Sequence, residues 1–156
     1  MPKLTTQERG GFTDAIRLTA ADLAAIAAGS GTRTIATIPA GGAVELVGLV
    51  TSAGFSAAPN GNLSVGTSAT AARYISAAAA AQSAGAAGRY NTGSGFTAGT
   101  AVTGSGLSQA IDFVAADTPI ILTVNAGSST GAYSAMTSGE IVVAIRILDP
   151  VRFNNA

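Results

Sequence analysis

The chain has 156 residues with eight basic and eight acidic side chains, a formal net charge of zero, and neither histidine nor cysteine. That length suits one domain with its own core. The missing residue types exclude a Ser-His-Asp triad, a thiolate nucleophile, a disulfide framework and nearly every zinc or transition-metal site. Charged residues make up only 10%, against an ordinary share of about a quarter, so the chain is short of the charged surface that keeps monomers apart and a partner surface is expected.

Residues 1–18 are polar, interrupted by Gly10 and Gly11 and mixed in charge, with Phe12, Ile16 and Leu18 as the sizeable apolar anchors after Leu4. They read as an extended N-terminal arm whose apolar and charged groups, Phe12, Ile16, Arg17 and Leu18, are candidates for binding a partner. The domain proper is expected over residues 19–156. It opens with "TAADLAAIAAG", a short helix in which Thr19 caps, Asp22 stands three residues on as a shortened capping box, Leu23 and Ile26 share a face, and Gly29 closes the last turn. So short a helix needs a larger surface to lie against.

From Arg33 the period becomes strand-like. The stretches "RTIATI", "AVELVGLV", "NLSV", "ARYIS", "LSQAIDFV", "PIILTV" and "EIVVAIRIL" are separated by Gly, Pro, Asn and Ser clusters. In the last, Ile141, Val143, Ile145 and Ile147 fall on one face and Val142, Ala144, Arg146 and Leu148 on the other, with Asp149-Pro150 ending it. Apolar residues on both faces mark a central strand or one covered from outside. The Ala/Gly/Ser/Thr-rich stretch 77–106 is too long for a structureless loop, so a short helix near Ala77 to Ala81 and a weak strand around Tyr90 or Val102 are expected within it. The whole reads as a single all-β domain with a short N-terminal helix.

Chemistry is sparse along this chain. Its acids are dispersed, and isolated carboxylates at strand ends and turns are ordinarily solvated or capping groups. Asp112 and Asp117 are not set in an Asp-rich calcium loop. The glycines at 61, 66, 93, 95, 104 and 106 form neither a P-loop nor a dinucleotide fingerprint, so "NGNLSVGTSATAARYIS" is read as turn and strand packing, with Tyr74 a rim or interface aromatic. The arginines are scattered and Lys3 is the one lysine, which leaves no electrostatic footprint for nucleic acid. No apolar run is long enough to span a membrane and the N-terminus lacks the apolar core of a signal peptide, so a soluble chain made in the cytoplasm and needing no cofactor is expected.

Several stretches together carry a resemblance. "RLTAADLAAI", "IPAGGAVELVGLVTSAGF", "NLSVGTSATAARYISA", "TPIILTVNAGSSTGAYS" and a closing "GEIVVAIRIL" resemble, in content and order, the small capsid decoration (cement) and head-associated proteins of tailed bacteriophages. The likeness covers most of the chain from about Leu18 onward. It implies a β-sandwich of jelly-roll type, a homotrimer, and a non-enzymatic role on the outside of a virion, where the major capsid protein is the partner. The alternative is a receptor- or carbohydrate-binding module of a tail or head fibre, which should expose aromatics able to stack on sugar rings. The chain has no tryptophan, and Phe55, Tyr74, Tyr90, Phe96, Phe113, Tyr133 and Phe153 are the aromatics placed near loops or strand ends.

Overall fold

A computed structural model describes residues 14–79, 89–90 and 112–148. The first element, β1 (Asp14–Thr19), runs directly into α1 (Ala20–Ala28). The cap is reciprocal: the Asp22 N–H donates to Thr19 Oγ1 (3.2 Å), and Asp22 Oδ2 accepts from the Thr19 N–H (2.9 Å) and hydroxyl (2.7 Å). The Gly29 N–H closes the last turn onto Ala25 and Ile26, and Gly31, at φ 71°, adds a bond to the Ile26 carbonyl. Leu23 is fully buried, and the helix lies against a 3-10 turn at Tyr133–Ala135. Burial of that one face stabilises a helix that its length alone could not.

The remaining strands are β2 (Thr32–Ile38), β3 (Ala43–Ala53), β4 (Asn62–Gly66), β5 (Ile75–Ala79), β6 (Arg89–Tyr90), β7 (Asp112–Phe113), β8 (Thr118–Val124) and β9 (Glu140–Leu148). They form two antiparallel sheets. The first has the order β1-β9-β3-β6, with β7 also on β3, and the second the order β2-β8-β4-β5. Because β9 pairs along β3 from Ala43 to Ala53, it takes up one whole edge of that strand, so β6 and β7 share the other. Tyr90 stands opposite Gly48, and Phe113 opposite Ala43.

One core serves both sheets. Val47, Leu49, Ile141, Val143 and Ile145 enter it from the first, and Ile38, Leu63, Val65, Ile120, Leu122 and Val124 from the second, each at most 4% exposed. The alternation predicted for the closing strand holds: Ile141, Val143 and Ile145 point inward, while Val142, Ala144 and Arg146 are half-buried on the outer face. Each buried aliphatic side chain contributes about 1.5–3 kcal/mol relative to exposure.

Three expectations are corrected. Residues 14–18 are not an arm but strand β1, in register with β9 from Asp14 opposite Ile145 to Thr19 opposite Glu140. Ile16 and Leu18 alternate with Arg17, so this short piece has an apolar face after all, and Leu18 is fully buried. The earlier part of the predicted arm, residues 1–13, lies outside the described residues. The helix expected near Ala77 to Ala81 is, as far as Ala79, strand β5, because pairing with β4 outweighs the intrinsic helix preference of alanine. The strand read at "ARYIS" begins only at Ile75. Ahead of it, Thr67 and Thr70 exchange backbone hydrogen bonds and the Thr70 carbonyl accepts from Arg73, a turn that delays the ladder until the Tyr74 N–H reaches the Val65 carbonyl (2.8 Å). The expected weak strand at Tyr90 is present as β6, and Val102 lies outside the described residues.

The two faces of β9 predict different costs. Ile145→Ala removes a side chain with 1% exposure and should lower stability by about 2–5 kcal/mol in urea unfolding, through lost burial and the cavity left behind. Val142→Ala should cost less than about 1.5 kcal/mol, since its side chain is half in solvent; equal costs at the two positions would contradict the assignment of faces. The cap gives a pH signature. Hydrogen bonds from the Thr19 hydroxyl, then from its backbone N–H, hold the Asp22 carboxyl below its usual range, and Arg33 adds a smaller pull. A depressed carboxyl stabilises the fold above its unfolded pKa of about 3.9 and loses that contribution as pH falls through the folded value. Thr19→Ala should therefore cost about 1 kcal/mol at neutral pH, and less than that in acid below the carboxylate range. A cost that does not shrink in acid would contradict the reciprocal cap.

Candidate partner-binding surface

The outer face of the first sheet follows from register. Arg17, Val142 and Val50 form one cross-strand row, and Ala15, Ala144 and Gly48 the next. Ala15, Val50, Val142 and Ala144 are each half-buried, so the centre of the face is a low relief of small apolar groups. Polar residues border it at the α1 end. Glu140 Oε1 accepts from the Arg17 guanidinium (3.1 Å) on β1 and from the Ser52 hydroxyl (2.6 Å) on β3, so one carboxylate ties together the three strands whose middle member carries it. The Arg17 side chain is 56% exposed, which limits that ion pair to about 0–1 kcal/mol.

The outer face of the second sheet differs in character. Thr32, Thr123 and Ser64 form one row, and Thr34, Ile121 and Gly66 the next, so these rows carry hydroxyls and no charged group. The Thr123 hydroxyl oxygen is the one buried side-chain oxygen without a hydrogen-bond partner among the described residues.

At the end of the fold away from α1, Phe113 is 67% exposed, the one large hydrophobic side chain standing in solvent among the described residues. Its strand sits on a rigid edge. The Gly41 N–H donates to the Val114 carbonyl (2.8 Å), the Val114 N–H donates to the Gly42 carbonyl (3.0 Å), and Asp117 Oδ1 accepts from the Ala40 N–H (2.8 Å). Ala43 has Phe113 opposite it on one side and Leu148 on the other. Residues 1–13 and 149–156 join the described chain at this same end, since Asp14 opens β1 opposite Ile145 and Leu148 closes β9.

The residues predicted to bind a partner are therefore dispersed. Phe12 lies outside the described residues. Ile16 is half-buried against the core, Leu18 is fully buried within it, and Arg17 alone of the β1 group is exposed. Tyr74, expected at a rim, is fully buried in the core that both sheets share, ahead of β5. Its ring is consumed in packing because the turn at 67–73 folds it inward. Phe55 and Tyr133 are likewise interior, with ring centroids 6.0 Å apart and planes tilted by 52°. The exposure of Phe113 was not legible, although "IDFV" was read as strand: period-two alternation does not tell the covered side of an edge strand from the bare one. Among the described residues no group of three or more acidic side chains is placed to hold a metal ion, and no helix is long and apolar enough to cross a membrane.

No protein-family model matches this chain, and no curated protein matches it. Among solved structures it is similar to a chain described as "Cyanophage Pam1 capsid asymmetric unit", at 21% identity over 88% of this chain and 81% of that chain, with a TM-score of 0.45.

The placement of β1 makes a truncation series informative. Removing residues 1–13 leaves β1 and its pairing whole and should change the thermal midpoint little. Removal through Thr19 strips Leu18 and the helix cap and bares an edge of β9; loss of Leu18 alone is worth about 2–5 kcal/mol, so this form should unfold or fall far in midpoint. Circular dichroism melts that coincide for the two truncations would contradict the role of β1.

Proposed function

We propose that this chain is a non-enzymatic structural protein of a tailed-phage virion, a jelly-roll decoration protein that binds the outside of the capsid as a homotrimer and stabilises contacts between capsomers. The strand order is the observation that carries this reading. The first strand lies beside the last, β2 beside β8, β3 beside β6 and β7, and β4 beside β5, with the two sheets joined into ladders by β9 on β3 and β8 on β4. Counting β6 and β7 as one position, this order supports a reading as the nested strands of a double Greek key, an architecture used by viral capsid domains, lectins and cupins. Cupin-type metal chemistry draws on histidine ligands, which the sequence lacks. A lectin-type site draws on exposed aromatics; Phe55, Tyr74 and Tyr133 are committed to the core, and Phe113 stands in solvent singly, without a second described aromatic beside it to form a stacking platform.

Function belongs to surfaces rather than to the architecture. Two features of this surface favour a scaffolding role. The small, half-buried residues Ala15, Val50, Val142 and Ala144 allow close approach of another sheet or subunit, and the low charge of the chain lowers the desolvation cost of that approach. The end that bears Phe113 and receives residues 1–13 and 149–156 is then the side from which the capsid is gripped, with Phe12 contributing from the N-terminal side, while Arg17 borders the outer face at the α1 end. The stretches that resemble decoration proteins include β3, β4, β8 and β9, so sequence likeness and framework coincide.

The test has two parts. Purified protein should co-sediment with capsids that lack it and should raise the temperature at which those capsids rupture; binding to a glycan array without capsid binding would instead favour the fibre-module alternative. Light scattering should return a trimer, and Ala144→Arg should yield folded monomers, because a charge would be buried unpaired at the centre of the outer face. A monomeric parent protein, or an Ala144→Arg variant that remains trimeric, would contradict the assignment of that face to self-association.

A further inference from the structure

Asn60 is the one asparagine in the sequence followed by glycine. That pairing is the most reactive toward intramolecular deamidation, because a residue without a side chain leaves its backbone nitrogen free to approach the asparagine side chain. The fold treats this position unusually. Asn60 Oδ1 accepts from the Ser128 N–H (2.9 Å), Asn60 Nδ2 donates to the Ser128 carbonyl (3.0 Å), and the Asn60 backbone N–H donates to the Gly131 carbonyl (3.0 Å). Both ends of one side-chain amide are thus held by the backbone of a single residue. The following residue is fixed as well: Gly61 is buried, and its carbonyl accepts from the Tyr133 hydroxyl (3.0 Å). Gly127, at φ 77°, passes close over Asn60 Oδ1 and the Gly61 nitrogen, and Gly131 lies so near the Asn60 amide that a Cβ there would stand 2.5 Å from Nδ2.

We propose that Asn60–Gly61 is a deamidation site whose rate is set by the fold: the double clamp to Ser128 fixes the side-chain amide against the rotation that brings its Cγ onto the Gly61 nitrogen, and modification follows release of the loop at 126–131. The chemistry is complete with water as the co-reactant. The Gly61 backbone nitrogen loses its proton to base and forms a bond to Asn60 Cγ. The bond from Cγ to the side-chain nitrogen breaks, and that nitrogen leaves as ammonia after taking a proton from water. Water then opens the cyclic imide at either carbonyl, leaving aspartate or isoaspartate, with no change in oxidation state. The product cannot restore the clamp. An aspartate at this position has no Nδ2 donor and turns a carboxylate oxygen toward the Ser128 carbonyl, while isoaspartate lengthens the backbone directly before the buried Gly61. Conversion therefore loosens the loop that carries Tyr133 and supports α1, and acts as an irreversible record of loop opening.

The exposed location of Asn60 makes the alternative, modification at the rate of a free peptide, a real contrast. The experiment is peptide mapping by mass spectrometry after incubation in neutral buffer below the unfolding transition, alongside the same protein held in urea. Conversion at Asn60 should be slower in the native protein by roughly tenfold or more, as for a reaction that waits on local opening. Gly131 does not take a positive φ, and the atoms crowding it belong to the Asn60 side chain, so Gly131→Ala displaces the amide from its clamp at small cost to the fold. That variant should deamidate at a rate approaching that in urea. Equal rates for native and urea-unfolded parent protein would overturn the proposal. So would a Gly131→Ala variant that retains native circular dichroism and deamidates as slowly as the parent. If Gly131→Ala does not fold, the comparison of native with urea-unfolded parent protein decides the matter alone.

Discussion

The position of β9 between β1 and β3 is the constraint on which the rest of the structure depends. The last described strand must be inserted between the first and the third, so the first sheet closes only when residues more than a hundred positions apart in sequence have met. Its inner face contributes Ile141, Val143 and Ile145 to the shared core, and its first residue, Glu140, carries the carboxylate that binds Arg17 on one neighbour and Ser52 on the other. Without β9, both β1 and β3 would present bare edges, which are sites of misassociation. Non-local pairing of this kind makes folding slow relative to helical domains of similar size.

The two ends of the sandwich follow from that insertion and differ in character. At the α1 end, reciprocal local contacts stiffen the loops: the Thr19–Asp22 cap, the Phe55–Tyr133 ring pair, and the attachment of Asn60 to Ser128. Gly139, at φ 133°, keeps a Cβ away from the ring of Phe55 directly before β9 begins, so this end is shaped to launch the inserted strand. At the opposite end backbone bonds brace the loops at 39–42 and 114–117, while Phe113 is left in solvent beside the strand ends that receive the rest of the chain. Among the described residues, one end is thus tied by reciprocal contacts and the other exposes an apolar side chain.

Much of this was legible in the residues. The helix could be read because its signals are local: a capping threonine, an aspartate three residues later and a terminal glycine. The strands β2, β3, β8 and β9 could be read because alternating aliphatic residues bracketed by turn formers have one structural meaning. β1 was missed because two alternating anchors, Ile16 and Leu18, are too short a pattern to stand out after glycines and charges, and because its partner lies at the far end of the chain. β5 was misread in part because an alanine run has no period, so only pairing with β4 decides its conformation. Tyr74 was placed at a rim because the turn that folds it inward is built from Thr67, Thr70 and backbone bonds that have no distinctive sequence pattern. The exposure of Phe113 depends on sheet order, which no single segment encodes.

The proposed capsid-binding role draws on three features: a core shared by both sheets, an outer sheet face of small residues, and an end at which Phe113 stands in solvent. All three rest on β9 being the structural centre rather than a late addition to the edge. Native-state hydrogen exchange resolved by residue tests that directly. The amides of β9 and their partners on β3 should exchange last, only through global unfolding, while β5 and the outer edge of β1 exchange earlier by local opening. Exchange of the β9 amides as fast as those of the edge strands would contradict its central place.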